Sequence, residues 1–240
     1  MRRALVVGDA TSWFVHAHHP DMRRMPRPVP GRVVSDRTCA ALVWNTFRTL
    51  ALIDPSFWLR QLHARLFEFD RRYRAPETLD VRLWVPLETS AGRERREITI
   101  DVLLESEDTW WGLLTAFDTD VVSDAIEMKQ PDRIVQAIDA LTSASGARDV
   151  FLGFICSEPR SAPITTELIE RYSASPHLLP PRLNRASACR NLRGLGTGTW
   201  RIVVDVLDEC LRAASLEEPE RQAVRRCRSW YGAVGTSRDV

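Results

Sequence analysis

The chain predicts an α/β domain whose elements run helix, three strands, helix, strand, with further helices behind. Three observations carry this. Apolar residues recur at helical spacing over 36–52 and again beyond Pro131. They alternate at strand spacing over 81–87 and 98–104. A continuous run, Trp110 to Phe117, is aromatic and branched enough to form a buried strand. With 240 residues, 44% of them hydrophobic, the chain is long enough to bury a sizeable core in one medium domain.

Residues 1–35 read as an irregular segment, broken by Pro20, Pro26, Pro28 and Pro30 and made basic by Arg2, Arg3, Arg23, Arg24, Arg27 and Arg32. His16 and His18 share a face only on a strand, and no third ligand is spaced to complete a metal site with His19. The cluster therefore reads as surface or packing. Ser35 is a suitable N-cap for an amphipathic helix from Asp36 to Leu52, with Val43, Phe47 and Leu50 on its apolar face. Asp54-Pro55 interrupts it. A second helix, Ser56 to Phe67, gathers Trp58, Leu62 and Leu66.

Val81, Leu83, Val85 and Leu87 alternate as a first strand, and Arg93-Glu94-Arg95-Arg96 forms the solvated turn after it. In the second strand Ile98, Ile100, Val102 and Leu104 fall on one side, with Thr99, Asp101 and Leu103 on the other. Glu105 to Asp108 make a turn, with Glu105 pointing away. Trp110 and Trp111 then take opposite faces of the third strand. The pattern leaves one carboxylate, Asp101, inside an apolar strand, which costs free energy unless it is paired, protonated or bound to a metal.

Pro131 suits a first helical residue beside Asp132, and Ile134, Ile138 and Leu141 mark the helix to about Leu141. Gly146 ends the connection, and Val150 to Ile155 reads as a buried strand. Residues 157–198 read as loop around one short helix, Ile164 to Tyr172. Val203, Val206, Leu207, Cys210 and Leu211 define another amphipathic helix. A last helix, Glu217 to Trp230, carries Arg221, Arg225, Arg226 and Arg228. Acid at its start and base toward its end is what a solvated helix favours, and the arginines are the alternative reading as phosphate contacts.

The hairpin 99–121, with the helix and strand of 132–155 after it, resembles the central part of the PD-(D/E)XK nuclease superfamily, the restriction-endonuclease-like fold. The resemblance spans about residues 36–215. It implies an αβββαβ core with a mixed central sheet flanked by helices, covering 36–156, and a helical and loop-rich extension of the same domain over 157–240. In that family an Asp on one strand and a Glu-x-Lys on the next hold Mg²⁺ or Mn²⁺ and position the attacking water. Asp101 matches the Asp. Leu114-Thr115-Ala116 stands where Glu-x-Lys is expected, so Leu114 takes the position of the Glu and Ala116 that of the Lys. Relatives carry Asp-Gln-x-x-Arg-Asn-Ile-Asp where this chain has Asp132-Arg133-Ile134-Val135-Gln136-Ala137-Ile138-Asp139. Arg133 and Gln136 are thus candidates for nucleic-acid contact, along with Arg225 and Arg226.

The resemblance implies a pseudonuclease: a nucleic-acid-binding or protein-docking module in DNA processing or defence, with no cofactor. Asp101 is then satisfied by an Arg or by a backbone N–H. A rival reading is an active, divergent Mg²⁺- or Mn²⁺-dependent endonuclease. It would use Asp101 with ligands from Asp118 and Asp120 and with Lys129, from the literal Glu127-Met128-Lys129; that triplet falls in loop. A third is a purely structural subunit. The five widely spaced cysteines, with no CxxC, predict free thiols and a cytoplasmic setting. No apolar stretch is long enough to predict a membrane span. A net charge of +1 supplies no overall field toward nucleic acid, so a local patch is needed.

Overall fold

The computed structural model describes residues 39–67, 73–91, 95–116, 132–179 and 190–235. The basic segment 1–35 and its histidines, the Ser35 cap, Pro131 and Cys189 lie outside them. Helix α1 (Cys39–Leu50) buries Leu42, Val43, Trp44, Phe47 and Leu50. Asp54 then accepts a hydrogen bond from the Ser56 N–H (2.8 Å) and caps a single 3-10 turn, Pro55–Phe57. Helix α2 (Leu59–Leu66) buries Leu59, Leu62, His63 and Leu66.

Among the described residues five strands form one mixed sheet: β1 (Asp80–Thr89), β2 (Arg96–Glu105), β3 (Thr109–Thr115), β4 (Asp149–Cys156) and β5 (Leu192–Thr199), in spatial order β1-β2-β3-β4-β5. The β1–β2 and β2–β3 pairs are antiparallel. Helix α3 (Arg133–Ala144) connects β3 to β4, so β4 lies parallel to β3, and β5 is parallel to β4. Helix α4 (Pro163–Ala174) precedes β5. Helices α5 (Trp200–Arg212) and α6 (Glu218–Gly235) follow it. The molecule is thus α/β, with helices on both faces of a five-stranded mixed sheet. Among the described residues no helix is long and apolar enough to cross a membrane.

Each face has its own core. One joins α1, α2, α5 and α6 to Val81, Leu83, Val102, Leu104, Trp111 and Leu113. The other joins α3 and α4 to Val85, Ile98, Ile100, Leu103, Trp110 and Leu114. Trp110 and Trp111 do take opposite faces, and both are buried.

The uniform alternation expected of β1 and β2 fails at one rung. Val81 and Leu83 belong to the first core, but Val85 belongs to the second; Ile98 and Ile100 belong to the second, but Val102 and Leu104 to the first. Both strands turn over at the same place, between the pairs Leu83↔Val102 and Val85↔Ile100, so the register survives. Trp84 stands there with φ of 50°, a left-handed backbone unusual for a bulky residue. Its ring stacks on Trp44, planes 7° apart and centroids at 6.2 Å. The inversion is hidden in the sequence because every residue concerned is apolar and fits either core.

The stretch 157–198, expected as loop around one short helix, also holds β5. Gly194, Gly196 and Gly198 alternate along β5 where a strand normally shows branched side chains. The reason is close approach: a Cβ on Gly196 would come within 1.8 Å of the Leu66 carbonyl oxygen at the end of α2. The C-terminal region therefore supplies an edge strand of the sheet, and α5 and α6 close the first core.

Asp139, on α3, is fully buried. Its Oδ2 accepts from the Thr89 hydroxyl (2.9 Å), the Ser90 N–H (2.6 Å) and the Ala91 N–H (3.0 Å), pinning the end of β1 to the helix. Glu105 is held between Arg82 (3.3 Å) and Arg148 (3.0 Å), and Arg148 lies over the Trp110 ring.

Candidate functional site

Asp101 sits where two strands part. The paired residues of β2 and β3 run from Glu105↔Trp110 to Val102↔Leu113 and stop. One residue further, the Asp101 side chain does what the ladder no longer does: Oδ2 accepts from the Thr115 N–H (2.7 Å) and from the Thr115 hydroxyl (3.1 Å). Thr115 meanwhile stays paired with Ile155 on β4.

Two helices close the corner. Cys39, the first described residue of α1, donates its Sγ–H to the Thr115 hydroxyl (3.0 Å). Arg133, the first residue of α3, places its guanidinium 3.7 Å from Asp101 Oδ1 and donates to the Thr99 carbonyl (3.3 Å). Asp132 fixes that helix start: Oδ1 caps the Val135 N–H (2.9 Å) and Oδ2 accepts from the Tyr172 hydroxyl (2.8 Å). The expectation that Asp101 is met by an Arg or a backbone N–H agrees with the geometry, which has both.

Burial pushes the Asp101 carboxyl above the ordinary carboxylate value, outweighing Arg133 and the two Thr115 bonds, which pull it down. Burial and the neighbouring Asp101 push the Cys39 thiol up to about 12, so it remains an S–H donor and not a nucleophile.

The β3 residue that meets Asp101 is Thr115. Leu114 and Ala116, expected to face it, are buried in the opposite core with α3. The physical reason is the turnover of β2 at Asp101: a direct count across the strands no longer puts facing residues on one side. Arg133 is brought to Asp101. Gln136, one turn along α3, is half-buried. Arg225 is exposed and pairs with Glu218 (3.2 Å), and Arg226 is exposed nearby. Arg221 turns inward, donating to the carbonyls of Leu211, Ala213 and Leu216, and Arg228 pairs with Asp208 (2.8 Å). Asp118, Asp120, Glu127 and Lys129 lie outside the described residues. Sequence reading passed over Thr115, whose signal was a hydroxyl at the end of an otherwise apolar strand, and the part of Cys39 in the corner.

Among the described residues the corner's side-chain oxygen donors are one carboxylate and one hydroxyl already bonded to each other, and a guanidinium beside Oδ1 opposes a second positive charge. Among the described residues no three His, Cys, Asp or Glu side chains converge to hold a metal. Set against models of known protein families, curated proteins and solved structures, the chain matches none of them.

Proposed function

We propose that this chain is a restriction-endonuclease-like module that binds without cutting: a pseudonuclease whose scaffold serves nucleic-acid binding in DNA processing or defence. The observation that carries the reading is the state of Asp101. A carboxylate in the middle of β2, just past its last pair with β3, stands where the PD-(D/E)XK resemblance expects a metal ligand; it spends Oδ2 on Thr115 and has Arg133 beside Oδ1. The element order and the antiparallel β1-β2-β3 meander, followed by parallel β4, support the same scaffold. The corner does the work of a tether between two strands and two helices.

The test is binding of fluorescent single- and double-stranded DNA and RNA, read by anisotropy from low to physiological salt. The expected result is saturable binding that weakens with salt and is unchanged by Asp101→Asn. Absence of binding at low salt, with a co-purifying protein partner, would replace this reading with that of a structural subunit.

A further inference from the structure

We infer that a second site, at the opposite end of the sheet from Asp101, binds a nucleotide unit. The cleft opens where β3 and β4 begin, about 20 Å from the Asp101 corner by the rise of six strand residues. Its volume of about 650 Å³ suits a ligand of that size.

The cleft is walled by rings. His63 and Tyr73 stack with centroids 4.0 Å apart and planes 9° apart. Phe67 and Phe151 stand tilted to each other at 5.2 Å, and both are half-buried. A wall of this kind accepts a flat heteroaromatic ring. The rim is polar and carries both signs. Arg193 is already held by Asp149 (2.7 Å). Arg74 and Asp108 are exposed and form no ion pair among the described residues. A ligand complementary to all three features has a planar ring, hydrogen-bond donors for Asp108 and an anionic group for Arg74. A nucleotide meets this description, with ring amines or ribose hydroxyls as donors and a phosphate as the anion. Such a unit can come free in solution or from the unstacked end of a strand. The site stands apart from the Asp101 corner, and its existence does not depend on whether that corner cleaves.

The test is calorimetric titration of the full chain with adenosine, guanosine, cytidine and uridine monophosphates, their nucleosides, and a short single-stranded oligonucleotide. Arg74→Ala and Asp108→Asn are run beside the parent; both side chains are exposed, and unchanged thermal denaturation confirms their folding. Saturable binding of at least one monophosphate is expected, weakened about tenfold by Arg74→Ala, with nucleoside binding weakened by Asp108→Asn instead. An oligonucleotide tighter than the monophosphate assigns the strand as the source, and the reverse assigns the free nucleotide. No binding of any of these, or binding indifferent to both variants, would overturn the inference. Asp101→Asn is expected to leave these titrations unchanged, so loss of the nuclease-like reading and loss of this one are told apart.

Discussion

Trp84 and Asp101 are the residues that the β1–β2 pairing skips, between Leu83↔Val102 and Val85↔Ile100, where both strands exchange faces. Trp84 takes the left-handed backbone, and Asp101 leaves the ladder to bond Thr115 on β3. One local reversal thus delivers a buried carboxylate to the junction of β2, β3, α1 and α3.

The backbone at Trp84 inverts an ordinary order of substitution. In a regular strand Gly is less stable than Ala by about 0.5–1 kcal/mol. With φ of 50° the Gly is unstrained and the Ala is not. Both Trp84→Ala and Trp84→Gly lose the buried ring and cost about 3–5 kcal/mol. Trp84→Gly is nevertheless expected to be the more stable of the two, by about 1 kcal/mol in urea denaturation.

Asp101 is expected to matter for stability through its acceptor oxygen. Asp101→Ala strands the Thr115 N–H and costs about 1–3 kcal/mol. Asp101→Asn retains an oxygen acceptor and costs less. The two variants compared by chemical denaturation check this.

The same residue sets a pH dependence. Its folded-state pKa is raised, so the folded chain holds this proton more tightly than the unfolded chain does. The stabilising contribution is complete below the unfolded value, near 3.8, and is lost as pH rises through the raised folded value. The stability of the parent relative to Asp101→Asn is expected to fall as pH rises from the acid side. A difference that grows with pH would mean that Arg133 outweighs burial.

Gly196→Ala forces a Cβ against the Leu66 carbonyl, and backbone cannot yield cheaply. A loss of more than about 2 kcal/mol is expected. Gly232→Ala, with nothing within 4 Å of the added atom, is the control and is expected to gain about 0.5–1 kcal/mol in its helix.

Asp139→Ala removes the acceptor for two backbone N–H groups and a hydroxyl in a buried turn. The cost is expected to be on the order of 3 kcal/mol in thermal or chemical denaturation.

Much of the scaffold was legible because helices and central strands carry periodic apolar residues: Val43, Phe47 and Leu50 in α1, and Ile134, Ile138 and Leu141 in α3. β5 was not, since its packing needs absent side chains at Gly194, Gly196 and Gly198. Asp101 was legible as a polar intruder. Its facing residue is Thr115 and not Leu114 or Ala116, because the face exchange falls between two apolar pairs, Leu83↔Val102 and Val85↔Ile100, that fit either core. Thr115 and Cys39 entered the corner only through three-dimensional contact.

The most direct test of the central claim is cleavage. Single- and double-stranded DNA and RNA are incubated with Mg²⁺ and with Mn²⁺, with the parent and Asp101→Asn side by side. The account predicts that neither protein cuts any of the four. Metal-dependent cleavage by the parent that disappears in Asp101→Asn would contradict it, and would make Asp101 a catalytic ligand instead of a tether.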